Sequence, residues 1–317
     1  MRASAIVFQS PQQLSVRPLE LRDLAAGQVE VEVDFSGIST GTERLLWDGS
    51  MPAFPGMGYP LVPGYETTGH IVRMHPEAGE GLSVGDRVFV PGSYSFEGVH
   101  NLFGGAGSRL VVASARVVKV QDALSHNATL LALAATAYHS VAVGGTREPA
   151  APPALIVGHG IMGRLLARLT VASGAAPPVV WETHPQRREG ALGYTVIDPA
   201  DDDRTDYPAI YDVSGDASIV NDLIGRLKPG GEVVLAGFYK SDISFAYPLA
   251  FMREATLRVA SEWKRADLLA TTALVREGRL SLDGLITHTQ SPGRAHEAYA
   301  QAFDDSTCLK MILDWRH

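Results

Sequence analysis

The stretch ALIVGHGIMGRLLARL (residues 154–169) constrains the fold of this chain more than any other. A short apolar run leads into Gly158-His159-Gly160-Ile161-Met162-Gly163, and an amphipathic run follows. The GxGxxG spacing alone is a weak signal; strand, glycine-rich turn and helix in that order give it meaning. Gly158 allows the tight turn and Gly160 lets a pyrophosphate approach the backbone. Gly163 lets helix and strand pack closely, with the phosphates at the helix N-terminus. His159, Ile161 and Met162 complete the cofactor-binding turn, His159 and Met162 as packing residues rather than catalysts. The next strand, VVWE, ends on Glu182, 24 positions after Gly158. A carboxylate there accepts hydrogen bonds from ribose hydroxyls and repels a 2′-phosphate, so the expected cofactor is NAD rather than NADP. Arg187 and Arg188 weaken that preference, because arginine holds phosphates well.

Strand-like and helix-like segments continue to alternate as far as residue 261, through AIYDVSG, a helix ending near Leu227, GEVVLAG and ATLRVAS. That rhythm predicts an α/β fold, a Rossmann doubly wound parallel sheet. Residues 1–120 read differently. QVEVEVDFSGI (28–38) alternates apolar and polar residues, and GHIVRM, GDRVFV and SRLVVAS are short strands between Gly- and Pro-rich segments. This predicts a barrel-like, mainly β domain. Residues 125–143 have helical spacing, REPAAPP (147–153) reads as a linker, and the chain ends in helix, strand, helix and strand. The expected division is 1–124 with 262–317 for the catalytic domain, and 125–261 for the NAD-binding domain.

A length of 317 residues suits two domains. The net charge of −8, with scattered lysines and arginines, gives no reason to expect nucleic acid as a partner. Cys308 is the single cysteine, so no internal disulfide forms, which fits a reducing, cytoplasmic compartment. The N-terminal MRASAIVFQS lacks the apolar core of a signal peptide. The most apolar run, 130–143, is shorter than the ~20 residues a membrane span needs.

The segments FSGISTGTE, VPGYETTGHIV, VGDRVFV, ATAYHSV, GHGIMG, YDVSG, LKPGGEVVLAGF and LKMIL, in this order, resemble the medium-chain dehydrogenase/reductase superfamily along essentially the whole chain. The resemblance implies a GroES-like catalytic domain completed by the C-terminus. It places Thr136 at the nicotinamide, with Ser214 and Gly237 as further cofactor candidates. In the zinc-dependent branch the catalytic ligands fall at positions held here by Ser39, Tyr65 and Ala132. A hydroxyl, a phenol and a methyl do not make the N/S-rich tetrahedron that zinc prefers, and the cysteines of a structural zinc loop are missing. The expectation is a site with no metal ligands and no zinc. Ser39, Thr40, Tyr65 and Glu66 are the candidate catalytic residues, with Thr42 and Glu43 close by. Two roles fit Tyr65: hydrogen bonding to a reacting oxygen while Ser39 or Thr40 passes the proton outward, or filling the space of the metal. An ordinary tyrosine, with a pKa of ~10, needs a nearby positive charge to act as a base.

Residues 37–72, 155–169 and 235–263 look like a branch of the superfamily that acts in bacteriochlorophyll a synthesis. That likeness implies NAD-dependent oxidation of the C3 1-hydroxyethyl group of a chlorin-type macrocycle to acetyl. Phe54, Tyr59, Tyr94, Phe96, His100 and Phe103, in two Gly- and Pro-rich loops, are the candidate substrate residues. Aromatic walls suit a large flat substrate, and the same side chains equally suit packing of the loops themselves. His100 is a candidate neighbour of the macrocycle's magnesium, or an exposed loop residue. A zinc-independent quinone or enoyl reductase and a non-catalytic NAD-binding protein are the rival readings. Relatives that pair through the edge strand of the Rossmann sheet imply a homodimer joined near residues 255–261.

Overall fold

The structure, a computed structural model, describes residues 1–52, 55–142 and 151–316. The chain divides into two compact units, Met1–Ala132 with Asp283–His317, and Leu133–Leu282. In chain order the first elements are β1 (Arg2–Ser10), β2 (Gln13–Glu20), β3 (Gln28–Ile38), α1 (Thr42–Asp48), β4 (Thr67–Met74), β5 (Arg87–Val90), β6 (Arg109–Ala113) and β7 (Val118–Lys119). Next come α2 (Leu131–Ala142), β8 (Leu155–Val157), α3 (Ile161–Ala172), β9 (Val179–Trp181), β10 (Thr195–Ile197), β11 (Tyr207–Asp212), α4 (Val220–Arg226), β12 (Leu227–Leu235), α5 (Tyr247–Arg253), β13 (Thr256–Val259) and α6 (Arg265–Arg276). β14 (His288–Gln290), α7 (Ala295–Asp304) and β15 (Met311–Asp314) close the chain.

In the first unit, β1 and β2 form a hairpin, and a mixed sheet runs β14-β15-β3-β4-β5-β7 with β6 also on β3. The alternation read in β3 is realised on one face: Val29, Val31 and Val33 enter the core while Glu32 stays exposed. Glu30 departs from that pattern. It is buried, and Arg73 at 2.8 Å and Arg109 at 3.0 Å neutralise it, as a buried carboxylate requires. The C-terminal strand returns to this unit because β15 pairs with β3.

The second unit holds a parallel sheet in the order β10-β9-β8-β11-β12-β13. Numbered from its own first strand this is 3-2-1-4-5-6, the doubly wound Rossmann order. Leu155, Ile210, Leu223, Leu227 and Val233 fill its core; each such side chain contributes roughly 1.5–3 kcal/mol when fully buried.

Two expectations need correction. Residues 125–143 do not form one helix: Asp122–Leu130 is a 3-10 segment interrupted at Ser125, whose φ of 45° is left-handed, and only α2 is α-helical. The boundaries also move. α6 belongs with the second unit, where Asp267 on α6 meets His139 on α2 at 2.8 Å. The expected linker, 147–153, lies largely outside the described residues. Among the described residues no helix is long and apolar enough to cross a membrane.

Candidate active site

The site in the first unit follows from strand register. β15 runs antiparallel to β3 with Met311 opposite Ile38, and β4 runs antiparallel to β3 with Thr67 opposite Ser36. Both partners therefore begin where β3 ends. Residues just outside those ends converge: Ser39 after β3, Tyr65 and Glu66 before β4, and Lys310 before β15. Ser39 Oγ and Tyr65 Oη stand 2.7 Å apart, and Thr42 Oγ1 lies 3.4 Å beyond the phenol. The ring of Phe103 meets Tyr65 edge-on, with centroids 5.1 Å apart. Thr40 is exposed, next to the hydroxyl pair in sequence.

Behind the hydroxyls lies a buried cluster of ionisable groups. Glu43 and Glu66 are 0% exposed and Lys310 is 1% exposed. The Lys310 ammonium contacts Glu66 Oε2, whereas Glu66 Oε1 has no hydrogen-bond partner among the described residues. Gly37 makes room for this pair: a Cβ there would stand 2.3 Å from Glu66 Oε2. Glu43 accepts from the Ser39 backbone N–H at 3.3 Å and from the Tyr299 hydroxyl at 2.9 Å. Burial, then the negative charge of Glu66, pushes the Glu43 carboxyl up to about 8. Burial raises Glu66 as well, against the pull of Lys310. Burial and Glu66 together raise the Tyr65 phenol above the ordinary tyrosine value. Tyr65 is thus a neutral phenol at neutral pH and not a resident base.

Sequence reasoning passed over two members of this cluster. Lys310 interrupts the apolar run CLKMIL, a signal in itself, since a lysine is almost never fully buried unless paired. Tyr299 carried no comparable signal, because α7 reads as an ordinary amphipathic helix.

The loop candidates scatter. Phe103 is beside Tyr65, as described. Phe96 is 0% exposed and packs in the core, its ring 2.6 Å from where a Cβ on Gly107 would stand, so it is not a substrate contact. Tyr59 is half-buried and donates to the Leu46 carbonyl, which makes it a loop-packing residue. Tyr94 is 66% exposed and His100 is exposed. Phe54 lies outside the described residues.

In the second unit the glycine turn has the geometry a dinucleotide needs. Gly158 has φ 101°. A Cβ on Gly163 would stand 1.8 Å from the Gly158 carbonyl, so only glycine allows this approach of helix to turn, while Gly160 faces open space. Ile161 is buried and Met162 half-buried, both on α3. Glu182 accepts from His159 N at 3.1 Å and His184 N at 2.8 Å, which fixes its carboxylate at the end of β9. The His159 ring is turned inward and fully buried, so only its backbone is open to a ligand. Its Nδ1 faces the Arg187 carbonyl at 2.6 Å, and a carbonyl only accepts, so Nδ1 carries the proton. Nε2 then accepts from the Tyr194 hydroxyl at 2.8 Å. Burial lowers this imidazole to about 4, in keeping with a neutral ring. Arg164 donates to four carbonyls, those of His159, Arg187, Glu189 and Gly190, and so ties the turn to the loop beyond β9. Ser214 is exposed past β11, and Gly237 donates to the Asp212 carbonyl at 3.0 Å past β12. Thr136 is half-buried on α2.

Residues 25–122 match the family model of the alcohol dehydrogenase GroES-like domain. A 2-desacetyl-2-hydroxyethyl bacteriochlorophyllide A dehydrogenase from Rhodobacter capsulatus is 53% identical over 317 residues, 100% of this chain and 99% of that protein. The solved 2R,3R-butanediol dehydrogenase of Bacillus subtilis superposes with a TM-score of 0.84 at 21% identity, over 98% of this chain and 99% of that one. An Escherichia coli alcohol dehydrogenase complexed with NADH gives a TM-score of 0.81 at 21% identity, over 99% of each chain. The two structures establish the shared fold, and the full-length identity goes further. The chain belongs to the medium-chain dehydrogenase/reductase superfamily, in the family of the 2-desacetyl-2-hydroxyethyl bacteriochlorophyllide A dehydrogenases.

Proposed function

We propose that this dehydrogenase oxidises the C3 1-hydroxyethyl group of a bacteriochlorophyllide-type macrocycle to acetyl, with NAD+ as hydride acceptor and without zinc. The Ser39–Tyr65 hydroxyl pair carries the chemical part of this reading. It occupies two of the positions where a zinc-dependent relative would hold ligands, and the third is the buried methyl of Ala132. That donor set does not fit zinc. The name of the Rhodobacter capsulatus relative supports the substrate.

When bound, the cofactor supplies the acceptor for the hydride leaving the carbinol carbon. The chain supplies the rest. Tyr65 receives a hydrogen bond from the substrate hydroxyl and passes its own proton to Ser39 Oγ, 2.7 Å away. Ser39 gives up its own hydroxyl proton in turn, past exposed Thr40 next to it in sequence, to solvent. Burial, and then the charge of Glu66 held by Lys310, keeps the phenol protonated at rest. Phe103 fixes the ring edge-on and forms one wall for a flat substrate. Tyr94 and His100 are the exposed loop groups left to meet the macrocycle.

Glu182 supports NAD over NADP, because its fixed carboxylate repels a 2′-phosphate. Arg188 does not offset it: its guanidinium donates to the carbonyls of Glu182 at 2.8 Å and Thr183 at 3.0 Å and contacts Asp198. The glycine turn fits the pyrophosphate through backbone N–H groups at the start of α3. A homodimer through β13 is part of the proposal. β13 ends its sheet, and Tyr247, Phe251, Met252 and Val259 stand exposed on and near it; an uncovered edge strand with apolar neighbours seeks a partner.

A spectral assay tests the reading. Purified protein, NAD+ and the hydroxyethyl macrocycle should give NADH together with a red-shift of the long-wavelength band as acetyl forms. No shift, with NADPH-dependent turnover of small quinones instead, would place the chain among the reductases.

A further inference from the structure

We propose that the buried His139–Asp267 pair positions the Ser261 hydroxyl as an acceptor for the carboxamide of the nicotinamide ring. This rests on the NAD reading above and deepens it.

The direction of the cofactor follows from strand order. Ligands of open α/β sheets lie beyond the carboxyl ends of the strands. Glu182, the ribose group, follows β9, and the phosphate turn follows β8. The sheet continues from β8 to β11, β12 and β13. A dinucleotide with its adenosine at β9 and its pyrophosphate at β8 therefore extends its other end over β11 to β13. The segments past those three strands carry Ser214, Gly237 and Ser261.

Ser261 differs from the other two in what stands behind it. Its Oγ lies 3.3 Å from His139 Nε2, with the Glu262 carbonyl a longer alternative at 3.4 Å. His139 Nδ1 faces Asp267 Oδ2 at 2.8 Å. Both His139 and Asp267 are buried, whereas Ser261 is exposed. Asp267 is held in turn by the Lys264 backbone N–H at 2.7 Å. A carboxylate only accepts, so Nδ1 carries a proton, and in the neutral ring Nε2 presents a lone pair. The Ser261 hydroxyl donates to that lone pair. Its own lone pairs then face outward, where they accept from an N–H donor. The nicotinamide carboxamide carries two such N–H donors. His139 and Asp267 act through Ser261 and are positioning residues; Ser261 is the contact.

Three titrations test this, each read by quenching of intrinsic fluorescence on the full chain: NAD+, its 3-acetylpyridine analogue, which lacks the amide N–H2, and ADP-ribose, which lacks the ring. The wild type should bind NAD+ more tightly than the analogue by roughly 3- to 10-fold, the range of one neutral hydrogen bond. Ser261→Ala, an exposed change, should abolish that preference and leave ADP-ribose binding unaltered. His139→Phe should lose the preference too, and a ratio of two affinities is insensitive to the fraction of folded protein. Retention of the full preference in Ser261→Ala overturns the proposal while the NAD reading stands. Failure of the wild type to bind either dinucleotide overturns both.

Discussion

Glu43→Gln should raise the stability of this protein, and the gain should grow with pH. Glu43 is fully buried and lies near one lysine that Glu66 already engages. Its carboxyl, ordinarily at 4.5, is pushed up to about 8. Below pH 4.5 the group is protonated in both folded and unfolded chains and distinguishes neither. Between 4.5 and 8 the unfolded chain ionises while the folded chain keeps its proton, so stability falls as pH rises. Each pH unit is worth about 1.4 kcal/mol, which sets a ceiling on the order of 4 kcal/mol by pH 8. Glutamine keeps the shape, accepts from the Ser39 N–H and donates to the Tyr299 oxygen, but cannot ionise in either state. Melting followed by circular dichroism from pH 5 to 8.5 should show the variant pulling ahead of the wild type, by about 8–16 °C at the ceiling. The three groups that share the pocket, Glu66, Lys310 and Tyr299, are unchanged in the comparison. Parallel melting curves would refute the argument, because they would mean that Glu43 is ionised in the folded protein across the whole range.

Tyr65→Phe should cut turnover by about 10²-fold, the usual effect of lost acid–base help, with little change in NAD+ affinity; unchanged turnover removes the phenol from the mechanism. Lys310→Met should destabilise the protein by about 3–5 kcal/mol in denaturant titration, because it strands a buried carboxylate. Adding Glu66→Leu to Lys310→Met should recover most of that loss, and a double variant no better than the single one refutes the pairing. Glu182→Ala should lower the ratio of kcat/KM with NAD+ to that with NADP+ by at least tenfold, roughly the 1.4 kcal/mol of one lost charge repulsion; an unaltered ratio assigns cofactor choice elsewhere.

What was legible in the sequence was local. The GHGIMG turn and β3 each declare themselves within a dozen residues, by glycines at fixed offsets and by alternation. What was hidden depends on partners far along the chain. Tyr299 is 256 residues from the Glu43 it donates to. Asp267 and Ser261 are 128 and 122 residues from His139, so His139 reads as an ordinary core histidine. Phe96 looked like a loop aromatic because its loop is rich in glycine, yet those glycines let the ring sink into the core: Gly107 leaves the space that Phe96 fills. The helical reading of residues 125–143 failed at its start, where the good helix formers from Ala128 onward conceal the left-handed Ser125 just before them.

The charges around Tyr65 limit how this site would work without a metal. A zinc ion lowers the pKa of a bound alcohol through its positive charge. Here burial raises the pKa of the phenol, and the carboxyls of Glu66 and Glu43 raise it further. Lys310 does not reverse this, because it is engaged by Glu66. The pocket therefore offers hydrogen bonds and no net positive charge at the hydroxyl pair. On the proposed reading, the protein's contribution to proton removal is a pre-aligned path through Tyr65 and Ser39. Bound NAD+ would supply the electrostatic pull through its positive charge. A neutral Glu43 belongs to that scheme: a second buried negative charge beside Glu66 would oppose any negative charge developing on the substrate oxygen. On that reading, the same burial that makes the Glu43 carboxyl costly to ionise would keep the pocket open to an alkoxide-like transition state at neutral pH.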